Sequence, residues 1–61
     1  MSGLFDIFRQ QPDGNLYRIE SAQDLEAAKA RVRLIAEAFP GQYVIVDNTT
    51  GEKFYIGSKP N

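Results

Sequence analysis

Neither histidine nor cysteine occurs among the 61 residues, so proton transfer or nucleophilic attack would fall to carboxylates, lysines, tyrosines or serines. The strand arrangement argued below brings Asp6 near Lys53, the one pairing that could act as an acid–base dyad. On a surface the same two residues form an ordinary ion pair, which is the expected reading. The acidic and amide oxygens of "DNTTGE", Asp47 to Glu52, lack the alternating ligand series and closing bidentate glutamate of a calcium loop, and turn-making accounts for them. Asn48, Thr49 and Thr50 fit the glycosylation acceptor pattern, a chance match in a chain with no secretory signal. "IESAQ", ahead of the helix, has no glycine with which to cradle a phosphate. So short a chain also has little room for a ligand-sized cavity beside its own core. No catalytic, cofactor-binding or metal-binding residue is assigned, and a non-enzyme without cofactor is expected.

The elements that position these residues follow from pattern and punctuation. Leu4 to Arg9 leads into "QQPDGN", where Pro12 presets φ at the first corner, Asp13 can hydrogen-bond the backbone and Gly14 accepts positive φ. "LYRIE" then alternates apolar and polar residues, so the segment reads as a hairpin of strands over about 4–9 and 15–20. Ser21 opens "SAQD", a short-armed capping box, and good helix formers continue to the stop at Pro40 and Gly41, predicting a helix over about 22–39. At 100° per residue Leu25, Ala28, Val32, Ile35, Ala36 and Phe39 share one stripe, the core face. "QYVIVD" and "EKFYIG", joined by a turn with Asn48 and Gly51, predict strands over about 42–47 and 52–57. The tail Ser58 to Asn61 is expected to fray.

The order is ββαββ, an α+β class with one helix packed on one face of a four-stranded sheet, in a single domain spanning 1–61. Strands apolar on both faces, the first and third, belong in the middle. That gives order 2-1-3-4 and an antiparallel sheet, with 2-1-4-3 and its parallel central pair as the alternative. If Phe5 and Ile7 point toward the helix, Leu4, Asp6 and Phe8 point away from it. The same phase turns Tyr17 and Ile19 inward and Leu16 and Arg18 outward. On the third strand Val44 and Val46 are assigned inward, with Tyr43 and Ile45 outward; the opposite phase would leave the two valines outside.

"GLFDI", Gly3 to Ile7, resembles the start of aurein-type amphibian skin peptides, which would imply a helix lying on a membrane. Gln10, Gln11 and Pro12 depart from the lysine-rich continuation of those peptides. A two-turn helix is marginal in water and binds bilayers weakly, whereas a strand paired to "LYRIE" satisfies its backbone, so a strand is expected. As a whole the chain resembles small, uncharacterised bacterial ββαββ proteins that combine a "PDG" hairpin, an "EAAK"-type helix and a "PG-Y-V-V-D-TG" hairpin. Here these are Pro12 to Gly14, Glu26 to Lys29 and Pro40 to Gly51. The resemblance implies the fold and no activity.

With 7 basic and 8 acidic residues the net charge is −1, far from the basic excess that attracts nucleic acid phosphates. No apolar run approaches the roughly 20 residues that span a bilayer, and a cytoplasmic location is expected. The helix-free sheet face, carrying Leu4, Phe8, Leu16, Tyr43, Ile45 and Tyr55, is the candidate protein-binding surface, because a soluble monomer rarely shows so contiguous an apolar area without a use for it. The function expected is that of a small interaction domain that self-associates as a homodimer through this face, with another protein as a further partner. Single-stranded nucleic-acid binding is the alternative, with Phe8, Tyr43 and Tyr55 as stacking platforms beside Arg18 and Lys53. Leu34, flanked by Ala27, Ala30 and Ala38 on the outer side of the helix, is a smaller second surface.

Overall fold

The computed structural model describes residues 4–57; Gly3 and the expected frayed tail lie outside the described residues. The elements are β1 (Phe5–Gln10), β2 (Leu16–Ala22), α1 (Leu25–Ala38), β3 (Gln42–Asp47) and β4 (Lys53–Gly57). The four strands form one antiparallel sheet in the order β2-β1-β3-β4. This is the expected 2-1-3-4 arrangement, and the strands apolar on both faces take the centre. Phe5, Asp6 and Ile7 of "GLFDI" are in β1, paired on both sides, so they do not form the membrane-lying helix.

Both hairpin turns depend on a glycine. Gly14 and Gly51 have φ of 93° and 80°, a region that Cβ-bearing residues enter at a cost. In the first turn Gly14 N–H donates to the Gln11 carbonyl at 2.9 Å and Gln11 N–H to the Asn15 carbonyl at 2.8 Å, while the Asp13 carboxylate accepts from Asn15 N–H at 2.9 Å. In the second, Gly51 N–H donates to the Asp47 carbonyl at 2.7 Å and Asp47 N–H to the Glu52 carbonyl at 2.8 Å.

The first hairpin carries a β-bulge. Ile7 lies opposite Glu20 and Phe8 opposite Arg18, which leaves Ile19 with no partner on β1. An extra residue shifts the pleat by one, so Glu20 stands on the helix side, where its carboxylate accepts from Arg31 Nε at 2.6 Å. The bulge also lets pairing run on, with Ser21 opposite Asp6 and Ala22 opposite Phe5. The helix accordingly begins at Leu25, three residues beyond its expected start. Its cap is Asp24, whose carboxylate accepts from Ala27 N–H at 2.8 Å; Ser21 is held in the ladder and cannot cap it.

The core lies between α1 and the sheet, where Ile7, Ala28, Val32, Tyr43 and Ile45 carry no exposed surface. Phe5, Leu25, Ile35, Ala36, Phe54 and Ile56 pack around them, half-buried. The helix stripe is as expected except at Phe39. That residue lies past the last turn and is exposed, with its N–H closing the helix on the Ile35 carbonyl at 2.8 Å.

The third strand has the opposite phase to the one expected. Tyr43 and Ile45 face the helix, and Val44 and Val46 face away, as the pairings of Ile7 with Ile45 and of Ile45 with Phe54 require. The physical reason is size and a polar tip. Burying a tyrosine and an isoleucine removes more apolar surface from water than burying two valines. The Tyr43 hydroxyl also finds an acceptor, the Phe39 carbonyl at the end of α1, as a buried tyrosine requires.

The helix-free sheet face as candidate functional site

Directly opposed residues of an antiparallel sheet share a face, so the registers lay out the side away from α1 as rows. The central row reads Arg18, Phe8, Val44, Tyr55 from β2 to β4. Toward the Gln10 end the row is Leu16, Gln10, Gln42, Gly57, and toward the other end Ser21, Asp6, Val46, Lys53. Leu4 lies just before β1, tied down where its carbonyl accepts from Asn48 N–H at 2.9 Å.

Four of the six expected binding residues are therefore together here: Leu4, Phe8, Leu16 and Tyr55. Tyr43 and Ile45 are not; both are fully buried beneath α1, and Val44 and Val46 occupy the places they were expected to fill. The face is also less open than expected. Val44, between the two rings of Phe8 and Tyr55, is 1% exposed, whereas Leu4, Leu16 and Tyr55 around it are 53%, 43% and 69% exposed. The result is a closed centre with exposed apolar side chains on its margin: Leu4 just before β1, Leu16 at one corner and Tyr55 on the β4 edge.

Asp6 is the polar anchor of the face. One carboxylate oxygen accepts from Arg18 Nε at 3.1 Å and the other from Asn48 Nδ2 at 2.9 Å. The hydrogen bond from Asn48, then the hydrogen bond and charge of Arg18, hold the Asp6 carboxyl below its ordinary value of 3.8 against the opposing effect of partial burial. Lys53, the expected partner, lies opposite Val46 on the far side of β3, too remote in the sheet to displace the diagonal Arg18. A carboxylate with both oxygens occupied and its charge stabilised is a poor general base. Asn48 is the residue that sequence reasoning did not connect to Asp6. Its only signal was its position at the end of β3, whose antiparallel pairing with β1 brings the second turn beside Leu4.

The stacking platform of the nucleic-acid alternative loses Tyr43 to the core and has Arg18 engaged by Asp6. Elsewhere, an open groove of about 360 Å³ runs between α1 and β4 past Val32, Ala36 and Ile56. Another of about 410 Å³, lined by Arg9, Gln11 and Gln42 among others, lies where the first turn meets the segment after α1. Among the described residues no helix is long and apolar enough to cross a membrane. Compared with family models, with curated proteins and with solved structures, the chain matches none.

Proposed function

We propose that the protein is a small, non-enzymatic association domain that docks on a second copy of itself through the helix-free sheet face. The observation that carries this reading is the exposure of Leu4, Leu16 and Tyr55 on a face that α1 leaves uncovered. Fully burying an exposed side chain of this kind contributes roughly 1.5 to 3 kcal/mol, so these partly covered ones contribute about half of that each before association costs are met. For a chain of 61 residues, whose core is necessarily small, that is a large gain. The Asp6–Arg18 pair supplies charge for register and specificity more than for affinity.

Sedimentation over a dilution series tests it. The wild type sediments above the monomer mass at high concentration. Tyr55→Lys, which changes a largely exposed side chain outside the core beneath α1, weakens that association by about tenfold or more, equivalent to at least about 1.4 kcal/mol. A wild type that loses no mass when Tyr55 or Phe8 is changed to lysine would exclude this face as the contact.

A further inference from the structure

The sheet has two edges, and they are unlike. On β4 the exposed positions are Lys53, Tyr55 and Gly57, alternating with half-buried Phe54 and Ile56. A lysine on a short strand is a common guard against unwanted pairing. On β2 the four residues Leu16 to Ile19 are all exposed, and three of them are large and apolar. Tyr17 at 55% and Ile19 at 42% lie beyond the reach of α1 even though Tyr17 shares the helix side with Arg9. The one charge in the segment, Arg18, is bound to Asp6 on the other face.

The backbone of this edge is also available. In an antiparallel pair, residues alternate between pointing both N–H and C=O at the partner and pointing both away. The bond from Gln11 N–H to the Asn15 carbonyl makes Asn15 the first residue directed at β1. Tyr17, opposite Arg9, is the next. Leu16 and Arg18 therefore direct their N–H and C=O groups outward, where the described residues place no strand.

We infer that β2 pairs antiparallel with β2 of a second copy about a two-fold axis through Tyr17. In that register Leu16 lies opposite Arg18 of the other copy, each such pair exchanging both N–H···O bonds, and the two Tyr17 rings meet on the helix side. Leu16 packs along the aliphatic stem of Arg18 on the other side. The unpartnered Ile19 bends the strand and ends the ladder, which keeps the contact short and closed. The occupant is a second copy because this one segment supplies outward donors, acceptors and exposed apolar side chains in a self-complementary order. The pairing joins two sheets edge to edge with both helices on one side. The two helix-free faces then become continuous, with Leu16 at the seam.

This contact is separate from face-to-face docking, and each can fail alone. Because the chain has no cysteine, Tyr17→Cys introduces a single thiol. At a non-hydrogen-bonded antiparallel pair the Cα atoms are about 4.5 Å apart, within the range of roughly 4.4–6.8 Å that a disulfide spans. Under mild oxidation Tyr17→Cys should form a reducible dimer at least about tenfold faster than Leu34→Cys, an exposed thiol outside the pairing, because the strand contact holds the thiols at high effective concentration. Tyr17→Lys, placing like charges opposite each other, should lower the sedimenting mass by one association step whether or not Tyr55→Lys is also present. Equal crosslinking rates at positions 17 and 34, or a Tyr17→Lys protein with unchanged mass and concentration dependence, would overturn the edge pairing while leaving face docking untouched.

Discussion

The helix covers the centre of one side of the sheet and leaves the other side without a cover, although the same strands build both. Ile7, Tyr43 and Ile45 are sealed beneath α1, while Leu4, Leu16 and Tyr55 stand in solvent around a buried Val44. The contrast shows where a chain this short places its limited apolar area. One face receives the larger members of β3 and the cover of α1 over its centre. The other keeps a small self-shielded centre and leaves apolar side chains on its margin for another surface. Stability should then reside on the first face and association on the second.

Substitutions can break that division. Ile45→Ala, on the helix side, should destabilise the fold by about 2–5 kcal/mol, read as a fall in the urea midpoint. Had Ile45 lain on the open face, the same change would have altered mass and left the fold intact. Val44→Ala, on the open face yet buried, should cost about 1.5 kcal/mol for two lost methylene equivalents. An effect below about 0.5 kcal/mol would mean that the closed centre contributes little.

Asp6→Asn should cost about 1 kcal/mol near neutral pH, where the charge-assisted bonds are intact. Its pH dependence has a definite sign. The folded-state pKa lies below the ordinary 3.8, so the contribution is fully present above that value and is lost as pH falls through the depressed one. Urea midpoints of wild type and Asp6→Asn should therefore converge once the pH has fallen below the depressed Asp6 value. The smallest effect is expected for Tyr55→Ala measured on the dilute monomer, within about 0.5 kcal/mol of wild type, even though the same position strongly affects association.

The strand order, both glycine turns and the helix stripe were legible because each has a local cause. Two hairpin signals flank one amphipathic helix, and Gly14 and Gly51 occupy backbone angles that few other residues accept. The facing of β3 was not legible. "YVIV" is apolar at every position, so alternation cannot choose a side, and the choice rests on side-chain size and on a hydroxyl acceptor supplied by distant Phe39. Neither the bulge at Ile19 nor the helix cap at Asp24 could be read from "LYRIESAQD", where Ser21 looks like a cap until β1 holds it in the ladder. Of the candidate surface, the positions whose strands have a polar alternate, Leu4, Phe8, Leu16 and Tyr55, were placed correctly. The two from β3 were exchanged with their valine neighbours.

The most direct test is to follow side-chain NMR signals as the protein is diluted. Methyl resonances of Leu4, Leu16 and Val46 and ring resonances of Tyr55 should move together with concentration, while those of Leu25, Ile35 and Leu34 stay fixed. Signals from the helix-free face that do not change across the range, or changes confined to Leu34 and its neighbours on α1, would contradict docking through the open face.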